Sequence, residues 1–314
     1  RRRHTRYISV TGVQTCALPI SCPKNICLDG RMEKKSQNWL LGFIALGIIW
    51  GSSFLFIKWG LESLTAVGVA FWRCAIGAIA LLVISAVSGS ALPTNPKHWF
   101  HISVVAFLLN AFPAYLFGYG ETHVTSVMAG MLNATTPLMT VLVISIAFRE
   151  ETINRNQSLG LIIGIAGILL VTGAFENLNK NDLRGIFALL LATFCYGVSF
   201  PYSKRHVSNL SYSSTTLATA QVTAASLMLL PFVLVQGDKH APWNPTSFWA
   251  ILTLGALGTG FAYILNFRNV RLAGSTIAST VTYITPVVAT ILGILFLDEP
   301  FKVTQILGGA FVLL

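Results

Sequence analysis

Trp50–Gly60 reads WGSSFLFIKWG, and residues 196–206 read YGVSFPYSKRH. Each places an aromatic residue, a glycine, a serine, a phenylalanine and a lysine in the same order. Gly51, Phe54 and Lys58 therefore match Gly197, Phe200 and Lys204, 146 residues further on. Three more matches follow in register. Leu81 and Leu82 align with Leu229 and Leu230 at an offset of 148. The TTP at 135–137 aligns with the ITP at 284–286 at 149, and Glu151, Gln157 and Gly160 align with Glu299, Gln305 and Gly308 at 148. Four ordered matches at a nearly constant offset mark an internal repeat.

The repeated stretches lie in a very apolar chain. Of its 314 residues 54% are hydrophobic and 10% charged, and its mean hydropathy is +0.69. Soluble domains are about a quarter charged, so the composition excludes a soluble protein of this length. A bilayer core of about 30 Å needs about 20 helical residues. Ten stretches qualify: 40–58, 66–88, 99–119, 124–148, 157–174, 185–203, 213–235, 247–267, 274–297 and 303 onward. Connectors such as SGSALPTNPKH, FREETINRNQ and VQGDKHAPWNP separate them, and these are turn material. Backbone in lipid must satisfy its own hydrogen bonds, and the spans are too long for barrel strands, so they are helices. The last, Val303–Leu314, has 12 residues, about 18 Å of helix, and reads as truncated.

The expected fold class is an all-α polytopic membrane protein of ten transmembrane helices, forming two five-helix repeats at 32–176 and 183–314. Five is odd, so the second repeat enters the membrane inverted relative to the first. Inverted repeats belong to alternating-access transporters, whose two halves exchange conformations around a central site. With the N-terminus cytoplasmic, the inner connectors hold nine Lys/Arg, among them Lys34, Lys35, Arg149 and Arg155, against five outside. That asymmetry favours a cytoplasmic N-terminus, in a multi-pass protein of the cell (inner) membrane.

Residues 1–31 stand apart. RRRHTRYISVTGVQTCALPI is basic and polar, resembles translated sequencing-adapter sequence, and lacks the apolar core of a signal peptide. The readings are a foreign leader before a start at Met32, or a disordered basic tail. The net charge of +10 falls to +5 without this segment, so it gives no ground for nucleic-acid binding. Cys16, Cys22 and Cys27 fall in the same segment, whereas Cys74 and Cys195 stand singly in apolar runs. Neither metal nor disulfide spacing emerges, and no cofactor is expected.

The chain resembles the ten-helix, EamA-type members of the drug/metabolite transporter superfamily. The resemblance rests on WGSSF at 50–54, FWRCAIGAIALL at 71–82, NATTPLMTVL at 133–142 with Glu151, Gln157 and Gly160, and TYITPVVATILGILFLDEP with Gln305 and Gly308. It covers residues 40–314, and no single motif is specific; the ordered set is. It implies export or exchange of small metabolites, amino acids or drugs, with both termini cytoplasmic.

Transporter sites lie near the midplane where polar groups interrupt apolar spans. By depth the first-half candidates are Trp50, Ser53, Asn110, Tyr115, Asn133 and Thr136, and the second-half ones Tyr196, Ser199, Tyr263, Asn266, Tyr283 and Thr285. Trp50 and Tyr196 occupy matching places, where an aromatic can stack on substrate or simply pack. Pro137 and Pro286 free a carbonyl one turn earlier and bend their helices, as a cavity wall or as a fixed kink. Asn110 and Asn266 are explained as well by interhelical hydrogen bonds. Arg73 is costly at its depth. It either attracts an anionic group toward the cavity or reaches the outer interface to pair with Glu62 or Glu121. Its repeat counterpart is Gln221.

Glu62, Glu121, Glu151, Asp298 and Glu299 all fall at span ends, which weakens the case for proton antiport. His123 and His206 read as interfacial, as do Lys58 and Lys204. Gly160, Gly164 and Gly167, echoed by Gly308 and Gly309, let helices approach closely within or between subunits, which leaves a homodimer open. The rival readings fare worse. An intramembrane enzyme needs a metal cluster, paired buried acids or a nucleophile with a base, and no such set is present; a receptor or scaffold leaves the repeat unexplained. The expected partners are a small-molecule substrate and the lipid bilayer.

Overall fold

A computed structural model describes residues 30–147 and 180–299, with helical positions at 163, 166–167, 170, 307 and 309–310. Two compact units are distinguished, Arg1–Gln37 and Asn38–Leu314. Of the first, only the helical stretch from Gly30 is described; everything below concerns the second. Residues 1–29, most of the fifth and tenth expected spans, and Glu151, Gln157, Gly160, Gly164, Gln305 and Gly308 lie outside the described residues.

Eight helices among the described residues are long and apolar enough to cross a bilayer. They are α1 (Trp39–Gly60), α2 (Ala66–Val87), α3 (Pro96–Glu121), α4 (Ser126–Ile146), α5 (Asp182–His206), α6 (Ser214–Gln236), α7 (Pro245–Ala273) and α8 (Ile277–Leu297). They correspond to eight of the ten expected spans. The described residues form no β-strand; Leu64 and Lys239 make an isolated antiparallel bridge. Large apolar side chains face outward along the bundle, among them Leu41, Val87, Phe187, Leu234 and Trp249. In water such a surface would aggregate; in lipid it is the solvated face.

Several helices start where the sequence supplies a cap. Thr65 Oγ1 accepts from Gly68 N at 3.1 Å to open α2, and Ser213 Oγ accepts from Thr216 N at 3.0 Å to open α6. Asn95 before Pro96 opens α3, and Asn244 before Pro245 opens α7. The side-chain oxygen satisfies an orphan N–H, and proline occupies a position whose N–H has no partner. These caps recur 148 and 149 residues apart, the spacing of the sequence repeat.

The irregularities recur too. α3 widens into a π-helical segment at Phe107–Ala111 and α7 into one at Leu254–Phe261. α4 breaks between Asn133 and Thr136, just before Pro137, and α8 passes through a 3-10 turn at Thr280–Tyr283, just before Pro286. α1 meets α8 at this break: a Cβ on Gly51 would stand 2.6 Å from Val288 Cβ. α5 meets α4 in the same way, a Cβ on Gly197 standing 2.7 Å from the Met139 carbonyl carbon. Glycine is required at both places because the opposing helix occupies the side-chain volume.

Lys58 departs from the interfacial reading. Its Nζ donates to Glu121 O at 2.7 Å and Val124 O at 3.1 Å. It is half-buried and caps the C-terminal carbonyls of α3, where a cation is favoured. Its repeat counterpart Lys204 lies 3.5 Å from Val270 O, near the end of α7.

Candidate functional site

A small cavity opens between two apolar clusters of the bundle. Its walls come from α1 (Trp50, Ser53, Phe54, Ile57), α2 (Arg73), α3 (Leu109, Phe117), α4 (Asn133), α5 (Tyr196, Phe200), α7 (Tyr263) and the 3-10 turn within α8 (Thr282). Both halves of the chain contribute. Half of the lining residues are aromatic and a few polar groups converge among them, a composition typical of small-molecule sites.

The aromatics hold one another. Trp50 and Tyr263 meet edge to face with centroids 5.8 Å apart, and Phe117 stacks against Tyr196 at 5.8 Å. Tyr263 is oriented by donating its hydroxyl to Leu109 O at 2.8 Å. That carbonyl lies in the π segment of α3, where the wide turn disturbs the ordinary i to i+4 bonding.

The polar groups are few. Ser53 donates to Ile49 O at 3.0 Å. Asn133 Nδ2 donates to Thr285 Oγ1 at 3.0 Å, while its Oδ1 has no protein partner. Arg73 is the charged residue of the lining, and it is buried at 9% exposure. Its Nε donates to Thr259 Oγ1 at 3.2 Å, in the π segment of α7. It pairs with neither Glu62, which accepts from Asn244 Nδ2 at 3.0 Å, nor Glu121.

The other sequence candidates lie elsewhere. Asn110 is buried and accepts from Gln221 Nε2 across α3 and α6. Tyr115, the counterpart of Tyr263, lines a separate apolar crevice with Val67, Phe107, Phe112, Met228 and Phe232. The π segments explain the divergence: five residues in α3 and eight in α7 turn the faces that follow them differently. Ser199 and Asn266 are buried behind the wall, with Ser199 Oγ and Asn266 Oδ1 unpartnered. Tyr283 follows the lining residue Thr282 in the 3-10 turn, which carries successive side chains about a third of a turn apart. Thr136 and Thr285 are buried and bond Asn133 O and Thr282 O, both at 2.8 Å, inside the two helix breaks beside Pro137 and Pro286.

Sequence reasoning did not single out Thr259, Leu109 or Thr282, and it put Glu121 at a span end without foreseeing its burial. Glu121 is fully buried at the end of α3, and neither carboxylate oxygen has a hydrogen-bond partner. Glu299 is also turned inward. Its Oε1 accepts from Ser126 N at 2.8 Å, and its Oε2 from Val127 N at 2.9 Å and Ser126 Oγ at 3.0 Å, which caps α4.

The segments at 61–65 and 237–244 cover the same end of the bundle. Thr65 N donates to Asp238 O at 3.0 Å, Trp72 Nε1 to Asp238 Oδ2 at 2.9 Å, and Ser63 Oγ to Pro242 O at 3.0 Å. This latch ties the start of α2 to the connector before α7.

Comparison with known proteins agrees with this architecture. The sequence profile of the EamA-like transporter family matches residues 37–173 and again 183–314. The uncharacterized transporter YoaV of Bacillus subtilis is 25% identical over 274 residues, spanning 87% of this chain and 93% of that protein. The uncharacterized inner membrane transporter YedA of Escherichia coli K12 is 28% identical, spanning 79% of each. A solved crystal structure superposes with a TM-score of 0.65 at 15% identity, covering 88% of this chain and 94% of its own; at that identity the likeness concerns the fold.

Proposed function

The chain belongs to the EamA-like transporter family, and on that premise we propose that it carries small organic metabolites, amino acids or drugs across the cell (inner) membrane by alternating access. In this reading the repeats at 32–176 and 183–314 are inverted, the N-terminus is cytoplasmic, and transport is export or exchange. The substrate occupies the cavity between Trp50, Ser53, Arg73, Asn133, Tyr196 and Tyr263. The carrying observation is that this one cavity draws walls from both halves of the chain, the placement expected of a site between repeats.

The lining favours amphipathic substrates. Aromatic rings take an apolar or planar body by stacking, and Arg73 offers a buried cation to an anionic group. With Nε committed to Thr259, its other N–H groups remain as the fork that suits a carboxylate. Rocking at the breaks near Pro137 and Pro286 supplies the motion, because helices already interrupted there bend without losing further backbone bonds.

Reconstitution into vesicles tests the reading. Efflux of at least one member of a radiolabelled metabolite panel, reduced by Trp50→Ala and Arg73→Gln, is the expected result. No movement of any panel member, with appearance of a chemical product instead, refutes it.

A further inference from the structure

We propose that Glu121 is a proton-binding site that couples transport to the proton gradient. The proposal rests on the transporter reading above and adds a coupling ion to it.

Glu121 ends α3, with no exposure and no hydrogen bond to either carboxylate oxygen. An ionised carboxylate left this way is strongly disfavoured, whereas a neutral acid is tolerated. The groups that act on it electrostatically are Lys58 from α1, Arg73 from α2 and Glu299 after α8. None of them bonds the Glu121 carboxylate oxygens. Lys58 Nζ holds Glu121 O and Val124 O, Glu299 caps α4 through Ser126 and Val127, and Arg73 Nε holds Thr259. From α5, Leu189 and Gly185 pack against the adjoining Gly120, and Gly185 also against His123, the titratable group two residues after Glu121. The carboxyl is therefore buried near charges while no hydrogen-bond partner holds its ionised form.

Its position gives it a route to the transport site. Phe117, one turn earlier on α3, lines the cavity, as does Ile57, the residue before Lys58. One turn places Glu121 about 6 Å beyond the cavity wall. When that end hydrates, the acid O–H breaks, its electron pair stays on the carboxylate, and the proton leaves to water; uptake reverses the step. Arg73 links this event to substrate. A ligand charge placed at Arg73 alters the field at Glu121, and by reciprocity the protonation of Glu121 alters affinity at Arg73.

The test uses the full chain in proteoliposomes with a panel of radiolabelled carboxylate and neutral metabolites. An imposed pH gradient is expected to drive wild-type flux. Glu121→Gln is expected to lose this gradient-driven component about tenfold while keeping exchange at equal pH, and Glu121→Asp to retain it. Gradient-driven flux in Glu121→Gln equal to wild type overturns the proposal, and so does wild-type flux that ignores pH. If no tracer moves in any protein, the transporter reading fails by itself. Infrared difference spectra then decide the proton site, also where Glu121→Gln does not fold. A carboxylic-acid C=O band that titrates in the wild type, is altered in Glu121→Asp and is absent from any folded Glu121→Gln supports the site. A Glu121 locked in one protonation state at every pH overturns it.

Discussion

Arg73 Nε donates to Thr259 Oγ1 across 3.2 Å, joining α2 of the first half to the π segment of α7 in the second. Gln221, 148 residues after Arg73, donates to Asn110 in the π segment of α3. The two contacts are the same exchange made in opposite directions between the halves. They differ in one respect: Arg73 carries a charge and borders the cavity, whereas Gln221 is neutral and fully buried. The repeat supplies the frame, and its asymmetry concentrates positive charge on one wall.

That asymmetry makes Arg73 the first target. Arg73→Gln installs its counterpart's side chain. A charged hydrogen bond is worth about 1.5–3 kcal/mol, so flux of an anionic substrate should fall about tenfold to a hundredfold while neutral substrates are spared. Arg73→Lys keeps the charge but loses the planar fork and should fall between. Uptake assays with paired acidic and neutral tracers read the difference; equal losses for both classes would assign Arg73 to packing.

Trp50 is the second. Its ring forms a wall of the cavity and meets Tyr263 edge to face at 5.8 Å. Such a pair contributes about 0.5–1.5 kcal/mol beyond area burial. Trp50→Ala should reduce flux several-fold with unchanged membrane insertion, and Trp50→Phe should restore part of it. Normal flux in Trp50→Ala, measured at matched protein levels in vesicles, would remove the ring from the site.

Glu299 tests the joint between α8 and α4 apart from transport. Its carboxylate takes the Ser126 and Val127 amides and the Ser126 hydroxyl. Charge-assisted bonds at a helix N-terminus are strong. Glu299→Gln removes the charge and turns one acceptor oxygen into a donor facing N–H groups, so a cost of about 1.5–3 kcal/mol is expected. The readout is a lower unfolding midpoint of the detergent-solubilised protein. An unchanged midpoint would show that the α4 amides find other acceptors.

The helices were legible because a membrane span needs only length and continuous apolarity, and the repeat because four matches kept register. Trp50, Ser53, Arg73, Asn133, Tyr196 and Tyr263 are named by depth alone and line the cavity, since polar groups in lipid-length helices turn inward. Tyr115 and Tyr283 escaped the same logic. Each follows or ends a non-α turn, and hydropathy carries no trace of the rotation a π segment or 3-10 turn introduces. The burial of Glu121 and the inward bonds of Lys58 were not legible for another reason. Position near a span end predicts an interface only when the neighbouring connector leaves room for water, and here Lys58 folds back to cap α3.

Gly68 governs the latch over that end. A Cβ at Gly68 would stand 2.0 Å from Asp238 O, the carbonyl that accepts from Thr65 N. The obstacle is backbone, so it cannot rotate aside as a side chain would. Gly68→Ala must therefore push the 237–244 connector away and strain its bonds to Thr65, Trp72 and Ser63. Ser63 is fully buried beneath it, which makes Ser63→Cys a reporter once all five native cysteines, Cys16, Cys22, Cys27, Cys74 and Cys195, are replaced by alanine. A membrane-impermeant maleimide should label Ser63→Cys slowly with Gly68 in place and several-fold faster with Gly68→Ala. Equal rates would mean that α2 shifts instead of the connector, and that the latch is not what closes this end of the bundle.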